Sequence, residues 1–504
     1  MRINIIARKS ALSQIQAQEV LLALQKQYPD IKCNITKREA EGDLDLITPL
    51  AHFDQRGIFT REFSEILVTQ EADAAVHSWK DLPTENKFDT EITATLPRAD
   101  ARDMLLLKKR SRASQRKALA ILSSSPRRAW AFEQNIKPLL PWDVSTINYE
   151  PVRGAIPTRI KKLVDSDCDG LVVAKAAMDR LLATELPQAQ EAKAYIQTAL
   201  QDFHWMVLPL KLFPNAPAQG ALGIEIHKDR DDLRKLFSRI NCSATFAAVK
   251  RERDVLSKYG GGCHQKIGVA VQQKPYGTIE CITGLTDAGE LLNSCTLSKN
   301  NLKIPSTQKN LWSSSEISAS HFDRASVSAS KPSDPALFYI TKTSALPNAW
   351  KLSEKDLIWS AGITTWQKLA KRGVWVNGSS ESLGEIETPD LSLYSDTPVS
   401  HIRLTHLDDS VLQAADKKIL QTYKLSQKFP IKVPTSVTHC YWTSAYIFEC
   451  ALHDNPHLLH CAHASGPGTT YTRLSALLTE KLEAAKSNVE IFLSEDDWKK
   501  AFAE

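Results

Sequence analysis

Ala72-Asp73-Ala74-Ala75-Val76-His77-Ser78-Trp79-Lys80-Asp81-Leu82-Pro83-Thr84 is a short apolar run that breaks into a polar turn. Ala72–His77 has the pattern of a buried strand, and Phe63, Ile66 and Leu67 mark one face of a helix before it, capped by Thr60. Lys80 and Asp81 therefore fall just past a strand end, where open α/β sheets bind ligands. The same theme extends in both directions. Residues 2–7 read as a strand, Ser10 can cap a helix carrying Leu12, Ile15 and Leu22, and a second strand follows near Cys33–Lys37. Downstream, Ala118–Ser124 (strand), Pro126–Gln134 (helix), Gly170–Ala174 (strand) and Ala176–Leu182 (helix) repeat it. This alternation predicts α/β layers with mainly parallel sheets.

The chain has 504 residues, enough for three or four domains, with 42% hydrophobic and 24% charged residues. Lys plus Arg number 63 against 58 acidic residues, a net charge of +5, which is too slight over this length to argue for nucleic-acid binding. Apolar runs fall well short of a membrane span of about 18 residues, and Met1-Arg2-Ile3-Asn4-Ile5-Ile6 reads straight into a strand, so no signal peptide and no membrane partner are expected. The nine cysteines are scattered and contain no CxxC pair, which argues against a disulfide framework or a zinc site and favours a reducing cytoplasm.

Nine serines crowd residues 311–333, ending in Lys331-Pro-Ser-Asp-Pro335, and read as a linker over 311–335. A separate unit is expected over 336–504. It carries a weak repeat: Phe338-Tyr-Ile-Thr-Lys342 with Ser360-Ala-Gly-Ile-Thr-Thr365, then Cys440-Tyr-Trp-Thr-Ser444 with Ser465-Gly-Pro-Gly-Thr-Thr470. Two similar α/β lobes are the expectation.

Cationic and hydroxyl residues recur at strand-to-helix turns. Arg8 and Ser10 follow the first strand, Ser124, Arg127 and Arg128 lie in Leu122-Ser-Ser-Ser-Pro-Arg-Arg128, and Arg153 and Arg159 flank Val152-Arg-Gly-Ala-Ile-Pro-Thr-Arg159. Helix N-termini beside guanidinium groups receive carboxylates or phosphates, so the repetition points to a ligand with several anionic groups. Asp81 among these cations can stabilise a cationic intermediate or pass a proton, or simply cap the turn before Pro83. Cys263, in Tyr259-Gly-Gly-Gly-Cys-His264, is either a buried small hydrophobe or a reactive thiol on a loop that admits close approach.

Taken together, these motifs resemble the hydroxymethylbilane synthase (porphobilinogen deaminase) family. The shared motifs include Glu41-Gly-Asp43, Arg56-Gly-Ile-Phe-Thr-Arg-Glu62, the quoted Ala72–Thr84 run, Ala101-Arg-Asp103, Ser123–Arg128, Arg153-Gly154, Asp169–Ala174, Pro217-Ala-Gln-Gly-Ala-Leu-Gly-Ile-Glu225 and Glu252-Arg253 through Gly262-Cys263, covering residues 1–310. The resemblance implies two periplasmic-binding-protein-like lobes (1–98 with 198–216, and 99–197) and a small α+β domain (217–310) carrying the cysteine loop. It implies a dipyrromethane cofactor attached covalently to Cys263, extended by four porphobilinogen units with loss of ammonia, each through an electrophilic azafulvene, while Asp81 stabilises positive charge and handles protons. Lys80, Ser124, Arg127, Arg128 and Arg153 would hold the cofactor, and Arg8, Ser10, Arg56, Arg159, Arg180 and Gln219 the substrate. Porphobilinogen and the growing polypyrrole are the implied partners of a monomer. Arg56 replaces a usual Lys, Ala155 a usual Asn and Gly260 a usual Glu.

The C-terminal unit resembles uroporphyrinogen-III synthase less specifically, through Trp442-Thr-Ser444, Ser465-Gly-Pro-Gly-Thr-Thr470, Ile340-Thr341 and Ala361-Gly362, with Tyr423, Ser444 and Thr469 as candidate site residues. That resemblance implies a second activity, cyclisation of the linear product. A deaminase with a decayed C-terminal lobe and a non-enzymatic binder of small anions are the alternatives.

Overall fold

The computed structural model describes residues 2–39, 61–85, 87–261, 265–299, 310–406, 417–482 and 489–503. The chain forms two compact units, Met1–Cys295 and Thr296–Glu504.

In the first unit, β1 (Arg2–Arg8) pairs in parallel with β2 (Lys32–Arg38) and β3 (Ala74–Ser78). Its alternation works on both faces. Ile3, Ile5 and Ala7 pack with Ala17, Val20 and Leu24 of helix Ala11–Gln27, while Ile6 packs with Phe63 and Leu67 of helix Arg61–Val68. β4 (Thr90–Ala94) completes one edge, and β10 (Leu222–His227) enters antiparallel between β3 and β4, giving the order β2-β1-β3-β10-β4. The second lobe repeats the plan with β5 (Asp103–Lys108), β6 (Ala118–Leu122), β7 (Thr146–Glu150), β8 (Gly170–Ala174) and β9 (Phe203–Val207), in the order β7-β6-β8-β5-β9 with β5 as the antiparallel insert. Two lobes of this order, joined by two chain crossings, form the expected periplasmic-binding-protein-like plan.

The crossings touch where Ala99 N donates to Gly220 O, 3.3 Å. Gly220 has φ +86°, and a Cβ there would lie 2.5 Å from the Ala99 carbonyl oxygen, so only glycine lets the two segments pass. The expected boundaries shift accordingly. Residues 203–207 complete the second lobe's sheet, and 222–240 return to the first, where Leu233, Leu236, Phe237 and Ile240 join its core. The third piece is therefore smaller than 217–310. Helix Ser243–Ser257 packs on a sheet of β11 (Gly268–Lys274), β12 (Gly277–Leu285) and β13 (Leu291–Ser298). Cys281 and Cys295 form a disulfide between β12 and β13, contrary to the expectation from scattered cysteines. Neighbouring strands bring together residues that a spacing rule does not pair.

The second unit has two parallel sheets. One orders β18 (Gly378–Ser379), β17 (Leu357–Ser360), β16 (Ala336–Ile340), β19 (Ser400–Thr405) and β20 (Lys417–Gln421). The other orders β14 (Leu311–Ser313), β22 (His439–Trp442), β23 (Ala462–Ser465) and β24 (Val489–Ile491). A ribbon of β15 (Phe322–Ser326) against β21 (Tyr423–Gln427) makes a third, two-stranded sheet. The serine-rich stretch is thus structural in its first half rather than a linker. β14 is an edge strand whose Trp312 packs on Trp442 at 5.3 Å, and Ser313 and Glu316 form a capping box after it. Its serines satisfy backbone groups at turns, which a compositional reading takes for solvated chain. Among the described residues no helix is long and apolar enough to cross a membrane.

Candidate active site

The turn Trp79–Asp81 leaves β3 as a single 3-10 turn, with Asp81 exposed and Lys80 half-buried. Three contacts hold it. Trp79 N donates to Ala221 O at 3.0 Å, the Trp79 ring packs on Phe246 at 5.1 Å, and the half-buried Arg253 guanidinium donates to the carbonyls of Trp79 (3.4 Å), Leu82 (3.1 Å) and Pro83. Burial pushes Arg253 down to about 10. Ser78, one residue earlier, is tied to Gln16 of the first helix by a 2.8 Å bond from Gln16 Nε2.

Cations of the second lobe converge on this turn. Lys80 feels Arg128 and Arg159 as repulsion and Asp81 and Asp103 as attraction; desolvation is the largest effect on it and lowers its pKa. Arg159 is pushed down to about 10 by burial, then by Arg128, against the pull of Asp81, with Arg153 a further neighbour. Its Nε donates to Gly154 O at 2.7 Å, which fixes the guanidinium over the turn where Ala155 stands. Ser124 closes the neighbouring turn, its Oγ donating to Val152 O and accepting from Val152 N, both at 2.8 Å. Lys80, Asp81, Arg128, Arg153 and Arg159 are thereby brought together at the strand ends of both lobes.

Other sequence candidates have structural partners. Asp103, 1% exposed, accepts from Arg127 Nη2 (2.8 Å), Arg128 Nη2 (2.8 Å) and Gln219 Nε2 (3.0 Å), and the two guanidiniums, aided by the amide, hold its carboxyl well below the usual range despite burial. Arg127 also donates to Pro214 O at 2.7 Å, so it clamps the lobe to the returning chain instead of facing a cleft ligand. Arg180, expected on the substrate, pairs across the lobes with Glu19 at 3.0 Å and with Gly220 O at 3.3 Å. Ser10 caps helix Ala11–Gln27, accepting from Ser13 N, and Arg8 lies beside it at the end of β1. Gln219 leaves its Oε1 buried without a hydrogen-bond partner. Thr60, Arg56 and Cys263 lie outside the described residues.

The sequence reading missed the support behind these groups. Glu252, 0% exposed, accepts two bonds from Arg98 (2.8 Å each) and one each from Ala218 N (2.8 Å) and Val271 N (2.9 Å), tying both crossings to the third piece. Gly260 and Gly261 follow the same helix. Gly261 (φ +65°) lies against Thr84, where a Cβ would come within 2.7 Å of Oγ1. Gly261, just past the end of helix Ser243–Ser257, thus lies beside the segment that follows the Asp81 turn.

In the second unit, Tyr423 is 2% exposed, with its Oη 3.2 Å from His406 Nδ1. Ser444 precedes helix Ala445–Asp454 without a side-chain cap, and Thr469 begins helix Thr469–Leu482, its Oγ1 accepting from Arg403 Nη2 at 3.4 Å. Thr469 and Arg403 meet across the two lobes of this unit, whereas Ser444 is not joined to them by any described bond.

Residues 3–235 match the family model described as the dipyromethane cofactor binding domain of porphobilinogen deaminase. Several curated relatives bear the name porphobilinogen deaminase, three of them as follows. That of Lawsonia intracellularis is 33% identical over 284 residues, 56% of this chain and 84% of its own. That of Syntrophomonas wolfei is 36% identical, covering 51% and 76%, and that of Caldicellulosiruptor saccharolyticus 32% identical, covering 56% and 90%. A dipyrromethane fits the residues present, since its carboxylates would meet the converging cations Lys80, Arg128, Arg153 and Arg159. With most of each relative's length matched and the two-lobed site assembled from the shared motifs, the first unit places this chain in the porphobilinogen deaminase family.

Proposed function

We propose that the chain polymerises porphobilinogen into hydroxymethylbilane, with release of ammonia, on a dipyrromethane held by Cys263. The observation that carries this reading is the convergence of Asp81 with Lys80, Arg128 and Arg159 beside the glycine loop. The attached dipyrromethane supplies the free pyrrole α-carbon to which new units join. Lys80, Arg128 and Arg153 hold the acetate and propionate groups of the bound rings, with Ser124 fixing the turn beside them, and Arg8, Arg56 and Arg159 those of the incoming one. Asp81, exposed on its turn, faces pyrrole N–H groups, stabilises positive charge developing on the ring and takes up the proton lost from the joined carbon. Arg127, Arg180 and Gln219 position the lobes around it. Replacing Asp81 by Asn tests the role: the protein folds and carries its cofactor, but product formation falls about 100-fold or more. Normal turnover by that variant contradicts it.

A second reading concerns the C-terminal unit, which we propose closes the linear product to uroporphyrinogen III. What favours it is the pairing of two parallel-sheet lobes whose strand-end turns carry Thr341, Gly362, Ser444 and Gly466, with Arg403 reaching across to Thr469. Fusion would pass an unstable product on at high effective concentration. Isomer analysis of the oxidised product decides: type III from the full chain supports cyclisation, and type I alone removes it.

A further inference from the structure

Helix Ser243–Ser257 turns two faces to different tasks. Thr245 and Glu252, two helical turns apart on one side, meet the crossing segment: Thr245 Oγ1 accepts from Arg98 N at 3.1 Å, and Glu252 accepts from two nitrogens of the Arg98 guanidinium at 2.8 Å each. Phe246 and Arg253, each one position further on, meet the Asp81 turn instead, with Val249 between them packed on Trp79. Arg253 commits two nitrogens to that turn. Nη1 donates to Trp79 O and Leu82 O and Nη2 to Pro83 O, so one rigid fork grips the main chain on both sides of Asp81. Among the described residues, the hydrogen bonds of Arg253 all go to neutral main-chain oxygens. Burial lowers its pKa to about 10, against the pull of the adjacent Asp254. A cation placed there without a paired carboxylate gives up hydration for little Coulombic return, so stability alone favours an apolar residue at this position. What the three bonds achieve is geometric. Trp79–Asp81 is a single 3-10 turn closed by one internal bond, Leu82 N to Trp79 O at 3.2 Å, and a turn that short does not fix its own orientation.

We propose that Arg253 is a positioning residue for the reaction: it acts through the main chain of residues 79–83 to hold the Asp81 carboxylate at the reacting atoms, and touches neither substrate nor cofactor. The inference rests on the deaminase reading above, and it assigns to a residue outside the cation set the task of aiming Asp81.

The test is a double-mutant cycle on the full chain, with turnover counted per chain that carries the dipyrromethane by intact mass. Arg253→Met lowers kcat about 30-fold while KM moves less than about threefold, because the substrate carboxylates meet other residues and the disturbance falls on the reacting geometry. In Asp81→Asn/Arg253→Met, kcat lies within about twofold of Asp81→Asn alone, since a residue that acts through Asp81 has nothing left to aim, whereas independent losses multiply. Hydrogen exchange supplies a readout apart from turnover. The amides of Trp79 and Leu82 exchange about tenfold faster in Arg253→Met, while those of β1 and β8 are unchanged. Arg253→Lys keeps the charge but offers one nitrogen in place of two, so it gives an intermediate loss and carries the test if Arg253→Met does not fold. Native kcat per loaded chain in a folded variant, losses that multiply in the double variant, or unchanged exchange at Trp79 and Leu82 overturns the proposal. Normal turnover by Asp81→Asn defeats the underlying reading, whereas a slow Asp81→Asn beside a fully active Arg253→Met defeats the positioning role alone.

Discussion

Asp81 and Glu252 show how differently two acidic residues serve one site. Asp81 is exposed on its turn and free to meet a ligand, while Glu252 is sealed beneath it and holds Arg98, Ala218 and Val271 in place. Changing Glu252 to Gln leaves Arg98 without its charge partner at a site closed to water, and we expect a loss of about 3–5 kcal/mol, read by denaturant unfolding. A change under about 1 kcal/mol contradicts that role. Asp81 was legible in the sequence because a polar pair just past a strand pattern is a local signal. Glu252 was not, since its partners come from three distant segments and only the fold brings them together. The same holds for Arg127 and Arg180. Their charge is visible in the sequence, but their engagement with Asp103 and Glu19 depends on where the lobes meet.

At the scale of elements, period-2 and helical patterns predicted most of the first unit's strands and helices. Gly170–Ala174 coincides with β8, and Pro126–Gln134 ends one residue short of the observed helix Pro126–Asn135. The antiparallel inserts β5 and β10 were not separable from parallel strands, because buried strands of either kind read as continuous apolar runs. Serine content misled at 311–326, where β14 and β15 are short edge elements with few apolar residues. If those strands are structural, replacing 311–326 by a flexible glycine-serine segment of equal length abolishes the thermal transition of the second unit. Retention of that transition at its original temperature contradicts the assignment. In the first unit, Ser10→Ala removes the cap of helix Ala11–Gln27 and costs about 1 kcal/mol, read from that unit's own unfolding transition.

For the whole molecule, titration separates the two units. His406 and His463, both in the second, are pushed down to about 4: His406 by burial and then by Lys342, Arg473, Arg324 and Arg403, and His463 by burial. An unfolded histidine titrates near 6.5, so below that pH the unfolded chain takes up protons that the folded one refuses. Their contribution is therefore complete above pH about 6.5 and declines as pH falls toward 4. In the first unit, Asp103 has the opposite chemistry but a lower window. Its depressed carboxyl stabilises above the unfolded value near 3.9 and fails only below it. Acidification from pH 7 to 5 should accordingly lower the melting temperature of the second unit before that of the first, and a first unit that melts earlier contradicts this order. The central claim is the covalent primer at Cys263, and intact-protein mass spectrometry tests it most directly, on material from a host that makes porphobilinogen, with Cys263→Ser alongside. The account predicts an added mass of two linked pyrroles on the native chain and none on the variant; a native chain that carries no such addition, where a known deaminase from the same host does, contradicts it.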